Sequence, residues 1–198
     1  SAASDVYKRQ VTDELDFPNL SMVGVDDRAA AYTAVDYLIR QGHRKIAVLG
    51  GPVTSYPSLM RRQGAQQAME DAGIVFNDKL YGLSNYDFES AYHAMNSLLA
   101  RRAEFTALFA MSDVIAFGAI RALVSAGLRV PEDVSVIGFD GITMSRYCVP
   151  VLTTVVQPSE QISLQSIELL VRQIEHGAPA QTITLQPELQ QGESVRAI

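Results

Sequence analysis

The run Val134-Ser135-Val136-Ile137-Gly138-Phe139-Asp140 is apolar at most positions and then stops on a carboxylate. A strand with one wet face alternates apolar and polar residues, whereas a strand covered on both faces does not. The run therefore reads as a buried parallel strand that carries Asp140 at its C-terminal end. Lys45-Ile46-Ala47-Val48-Leu49-Gly50-Gly51 and Thr106-Ala107-Leu108-Phe109-Ala110-Met111-Ser112-Asp113 have the same form and close on small or acidic residues. A fourth run, Met22-Val23-Gly24-Val25, ends at Asp26-Asp27.

Helical spacing fills the intervals. Tyr32, Val35, Leu38 and Ile39 share a face, with Gly42 placed for a left-handed C-cap. Pro57 suits a first helical turn, and Met60, Gly64, Ala68 and Ala72 follow in steps of four up to Gly73. Ala91, Met95, Leu98 and Leu99 make a third stripe, and Ala116, Ala119, Ile120 and Leu123 a fourth, opened by Ser112 or Asp113 and closed by Gly127. Ile162, Ser166, Leu169 and Ile174 make the stripe of a last long helix, ended by Gly177-Ala178-Pro179. Strands alternating with helices predict βαβ units and an α/β fold with a doubly wound parallel sheet. The β-branched stretch between Pro150 and Pro158 reads as an extended connector crossing between lobes.

Composition narrows the function. The chain of 198 residues has Lys+Arg 16 against Asp+Glu 22, a net charge of −6, which does not suit a free-standing nucleic-acid binder. Hydrophobic residues are 47% and charged residues 19%, a globular balance. Cys148 is the single cysteine, so no internal disulfide forms and a reducing, cytoplasmic compartment is expected. No apolar run approaches the ~18 residues of a membrane span. The segment Asp5-Val6-Tyr7-Lys8-Arg9-Gln10 resembles the translation of a transposon end, and residues 1–10 are read as a non-native scar outside the fold.

His43, His93 and His176 lie far apart, with no His or Cys pair at metal-ligand spacing, and no metal or other cofactor is expected. Gly50-Gly51-Pro52 lacks both a Gly-x-Gly-x-x-Gly pattern and a Gly-Lys-Ser/Thr ending, so it is not a phosphate loop. No nucleophile elbow appears, and no spacing argues for catalysis.

In a doubly wound sheet, ligands sit beyond the C-terminal strand ends, near the point where strand order reverses. Four features converge there. Arg61 lies one helical turn before Gly64, and its planar fork of donors suits hydroxyls, a carboxylate or a phosphate. Asp140 offers two acceptors to hydroxyls or amines. Ser112 and Asp113 occupy a strand-to-helix turn. Tyr56, Tyr86, Phe88 and Tyr147 lie in loops where flat apolar surface suits a sugar or purine ring. Each also has a plainer reading: Arg61 as a solvated helix residue, Ser112-Asp113 as an N-cap, Asp140-Gly141 as a turn, and the aromatics as packing.

The segments Leu38–Gly51, Arg61-Arg62-Gln63-Gly64, Ala110–Ala119, Gly127–Asp140 and Leu152–Pro158, in this order, resemble lactose- and galactose-repressor-type (LacI/GalR) transcription factors, from about Ser21 to the C-terminus. Gly127-Leu128-Arg129-Val130-Pro131-Glu132-Asp133-Val134-Ser135 is the most specific of them. The resemblance implies a periplasmic-binding-protein-like effector core, joined in the full protein to an N-terminal helix-turn-helix. It implies a ligand-binding role for Arg61, for Asp140, for Tyr86 as a stacking aromatic, for Ser112 where many members have asparagine, and for the Asp113 beside it; Tyr56 completes the candidate set. Gly141 and Asp27 also depart from the family's usual residues. The expected activity is repressor-type regulation by a small sugar-like effector, with operator DNA bound by the domain outside this chain and the core paired as a homodimer. The alternative is the substrate-binding protein of a sugar uptake transporter.

The same resemblance divides the chain. Residues 11–42 and 157–181 are expected in a partial N-terminal lobe, and residues 43–156 and 182–198 in a nearly complete C-terminal lobe. Apolar surface on the partial lobe is then exposed, an aggregation liability.

Overall fold

The computed structural model describes residues 21–102 and 104–198. The expected scar at residues 1–10 and the start of the partial lobe, residues 11–20, lie outside the described residues. Along the chain run β1 (Met22–Val25), α1 (Asp27–Arg40), β2 (Ile46–Gly50), α2 (Tyr56–Asp71), β3 (Tyr81–Leu83), α3 (Phe88–Ala100), β4 (Ala107–Ala110), α4 (Asp113–Ser125), β5 (Ser135–Asp140), β6 (Thr153–Val156), α5 (Ser159–His176), β7 (Thr182–Leu185) and β8 (Glu188–Gln190).

Six strands form one sheet in the order β3-β2-β4-β5-β6-β8, parallel throughout except for β8, which runs antiparallel to β6. After β2 the chain steps outward to β3 and then returns past β2 to β4. Right-handed crossovers in opposite directions put their helices on opposite faces. Thus α2, packed on α1, covers one face, while α3 and α4 cover the other. Strand order reverses between β2 and β4, and the crevice opens there. The strands β2, β4 and β5 are buried nearly throughout, as their unbroken apolar runs require.

Capping follows the side chains. Asp26 accepts the Ala29 N–H at 2.9 Å, Asp87 accepts the Ser90 N–H at 2.8 Å, and Ser112 accepts the Ile115 N–H at 3.1 Å. Helices α1 and α2 meet at Gly64, where a Cβ would lie 2.0 Å from the Arg28 carbonyl oxygen. His43 is buried, bonded through one ring nitrogen to Thr106 and through the other to the Arg196 carbonyl, which ties the start of the sheet to the C-terminal segment.

The structure differs from the sequence expectations in several places. Thr153–Val156 is not a free connector but an interior strand, β6, and its burial explains the β-branched run. The strands β3, β7 and β8 were not expected; each has only three or four residues and no continuous apolar run. Helix α1 lies N-terminal to the expected boundary at Gly42, yet its buried residues Ala31, Ala34, Val35 and Leu38 join the core of the six-stranded unit. Conversely, β7, expected with the C-terminal lobe, pairs with β1 in a separate two-stranded parallel sheet. Helix α5 buries only Leu169 of its expected stripe, and Ile174 is 74% exposed.

Candidate functional site

Arg61 rises from the second turn of α2 toward the reversal of strand order, and its side chain is buried, not solvated. Its Nε donates to Asp27 Oδ1 at 2.7 Å, and its Nη1 donates to the Met111 carbonyl at the end of β4 and, at 3.4 Å, to Asp140 Oδ1. The guanidinium carbon lies 3.7 Å from the centroid of the Phe139 ring, so the same plane stacks on an aromatic face. Arginine, Asp140 and the ends of β4 and β5 thus meet at one point, as the strand-end rule predicts.

Asp140 closes β5 with φ 110°, a left-handed conformation rare for a residue with a side chain. Its carbonyl accepts the Gln157 N–H at 3.0 Å and its Oδ1 accepts Gln157 Nε2 at 2.8 Å. Burial pushes its carboxyl up, and the Arg61 guanidinium and the Gln157 bond work against that push.

A cleft of about 590 Å³ opens beside these groups, lined by β1 and Asp27 on one side, Tyr56, Pro57 and Arg61 from α2, and Gln157, Ile162 and Ser166 from the segment after β6. Its volume falls in the range of small-molecule sites. Tyr56 and Arg61 line this cleft, and Asp140 meets it through its bonds to Arg61 and Gln157.

The other candidates are placed differently. Ser112 caps α4, and Asp113 is fully buried, its carboxylate accepting the Ile142 N–H at 2.8 Å and the Thr154 hydroxyl. Neither lines the cleft. Tyr86, at φ 60°, packs its ring over Gly51, where a Cβ would lie 2.0 Å from it; its buried hydroxyl finds no hydrogen-bond partner among the described residues. Tyr147 and Phe88 are exposed.

Sequence reasoning missed two residues. Asp27 appeared only as a departure from a family pattern, and nothing in its local sequence shows that it pairs with a side chain 34 positions away. Gln157 sat in the expected connector, and its position beside Pro158 gives no sign that it grips Asp140 from both backbone and side chain.

The periplasmic-binding-protein-like domain family matches residues 35–195. The chain is 36% identical over 181 residues to the HTH-type transcriptional repressor PurR of Histophilus somni strain 129Pt, covering 91% of this chain and 54% of that protein. It is 37% identical over 170 residues to the HTH-type transcriptional repressor CytR of Escherichia coli strain K12, covering 86% of this chain and 49% of that protein. Among solved structures, the transcriptional regulator CelR–cellobiose complex superposes with a TM-score of 0.87 at 32% identity, over 91% of this chain and 56% of that one. The chain spans about half the length of the curated relatives it matches.

Proposed function

The chain belongs to the periplasmic-binding-protein-like domain family and matches the effector-binding core of LacI-type regulators, and from that premise we propose that it is the sensing part of a transcriptional repressor. A small sugar-like effector occupies the cleft between two lobes. One lobe holds α1, β2–β6, α2–α4 and β8; the other holds β1, α5 and β7. Arg61, Asp140 and Tyr56 bind the effector's hydroxyls and ring, with Tyr86 beside them at the Gly51 turn and Ser112 and Asp113 behind the strand ends. The effector favours one lobe orientation, and it shifts the equilibrium only by its differential affinity, typically ~1–3 kcal/mol of coupling. In the full protein a helix-turn-helix outside this chain reads the operator, and paired cores set the spacing of two such heads. The protein works in the cytoplasm, without catalysis.

The observation that carries this reading is the meeting of a buried guanidinium and a strand-end carboxylate 3.4 Å apart at the reversal of strand order, beside an open cleft. A ring hydroxyl pair or a ligand carboxylate suits the guanidinium plane, and a hydroxyl or amine suits Asp140. The transporter alternative finds less support, because the similar curated proteins are repressors.

The test is calorimetric titration of the full-length protein with cellobiose, ribose and nucleosides, alongside Arg61→Ala and Arg61→Lys. Binding is expected for the native protein, with a loss of about tenfold or more in both variants, since lysine keeps the charge but not the fork. Unchanged titration in both variants, in protein that still melts cooperatively, overturns the assignment.

A further inference from the structure

Asp113 is the one candidate whose carboxylate is wholly enclosed, and it does not line the cleft. Burial pushes its carboxyl up to about 6, the bonds from Thr154 and Ile142 work against that push, and the charge of Asp140 adds to it. A carboxylate buried without a cation is a costly way to cap a helix, and Ser112 already caps α4.

Its bonds join two elements. One oxygen accepts the Ile142 N–H at 2.8 Å, in the turn after β5, and the other accepts the Thr154 hydroxyl from the middle of β6. Gly138 leaves room for it, since a Cβ there would lie 2.4 Å from Asp113 Oδ1. Between the two anchored strands the chain takes consecutive left-handed residues, Asp140 at φ 110° and Gly141 at φ 71°. Gly141 admits no side chain, because a Cβ would lie 2.7 Å from Val156. A residue such as Asp140 holds that conformation only where its surroundings over-determine it. Gln157 fixes Asp140 from just beyond β6, and the Asp113–Ile142 bond fixes the peptide just beyond Gly141.

We propose that Asp113 is a positioning residue: its carboxylate clamps the Gly141–Ile142 turn against β6 and thereby aims Asp140 at Arg61 and Gln157, two residues that line the cleft. It touches no ligand itself. The consequence for recognition rests on the effector-site reading above; the clamp does not.

Crystal structures and titrations of Asp113→Ala, Asp113→Asn and Thr154→Val in the full-length protein test it, with cellobiose, ribose and nucleosides as probes. In Asp113→Ala, Asp140 is expected to leave its left-handed conformation and to move out of hydrogen-bond reach of Arg61 and Gln157, with affinity for the bound probe down about tenfold. Asp113→Asn keeps an acceptor for the Ile142 N–H and restores Asp140, which a general loss of stability would not produce. Thr154→Val removes one bond without a buried charge change, and shifts Asp140 less; it carries the test if the alanine variant does not fold. Asp140 unmoved in both Asp113→Ala and Thr154→Val overturns the clamp. Asp140 displaced with affinity unchanged overturns its role in recognition. Native protein that binds none of the probes sinks the sensor reading, and the position of Asp140 in the variants still decides the clamp.

Discussion

Arg61 makes an ion pair with Asp27, bonds to a strand-end carbonyl and to Asp140, and stacks on Phe139, all from one buried guanidinium. Such a charge is tolerable because two carboxylates and a carbonyl oxygen meet its Nε and Nη1, and removal of one partner leaves the charge less compensated. Asp113 shows the opposite case, a charge held without a cation. Its carboxyl is raised from the ordinary 3.8 to about 6. Between those values the folded chain keeps a proton that the unfolded chain has released, so stability falls as pH rises through that window. The full effect by pH 7 is about 3 kcal/mol. Asp140 is raised in the same direction, and Asp133, held down at about 2 by Arg129, acts below the window. Asp113→Asn should therefore flatten the dependence, with a urea midpoint that rises relative to the native protein at pH 7 and matches it near pH 4. A midpoint lowered at pH 7 would contradict the stated cause.

At the scale of elements, the contact between α1 and α2 turns on Gly64, and α1 begins with Asp27, the partner of Arg61. Alanine at 64 gains up to about 1 kcal/mol in helix propensity, yet its Cβ meets backbone, which does not yield as a flexible side chain would. Gly64→Ala is expected to lower stability by ~1–3 kcal/mol net, the usual cost of overpacking, and to weaken the Asp27–Arg61 pair. Thermal melts and the Arg61 Nε–H resonance check the two effects separately. A higher Tm with that resonance unmoved would show that the helices part freely. Much of this layer was legible in sequence. The runs at Ile46, Ala107 and Ser135 are long and apolar enough to announce buried parallel strands, and Gly42, Ser112 and Gly127 fall at helix ends because capping chemistry is local. The strands β3, β7 and β8 were hidden because three or four residues carry no period, and pairing with distant neighbours alone makes them strands.

At the scale of the whole molecule, the core is uneven. The six-stranded unit buries its inner strands on both faces, whereas β1 and β7 form a two-stranded parallel sheet, an arrangement that normally sits deep inside larger sheets. Beside it α5 leaves Leu164, Ile167, Leu170 and Ile174 at least 56% exposed. Apolar surface of this kind drives association. The chain by itself is expected to self-associate and to bind a hydrophobic dye, and Leu170→Lys with Ile174→Glu should shift it toward monomer in sedimentation velocity without altering the melt of the six-stranded unit. A native chain that sediments as monomer at 100 μM order concentrations, about the range where weak patches act, would show that this face is not adhesive.

The sequence by itself determined the alternation of buried strands and capped helices, and with it the end of the sheet where the strand order opens a crevice, because burial on two faces and helix capping both leave marks within a few residues. It also brought Arg61 and Asp140 to that end. Only the tertiary structure decided that Asp27 and Gln157 grip those two groups, that α1 belongs with the large sheet and β7 with β1, and that Asp113 is enclosed and does not line the cleft. Each of these depends on what one side chain or strand meets across many residues of chain, and no local pattern records a partner that folding alone brings near.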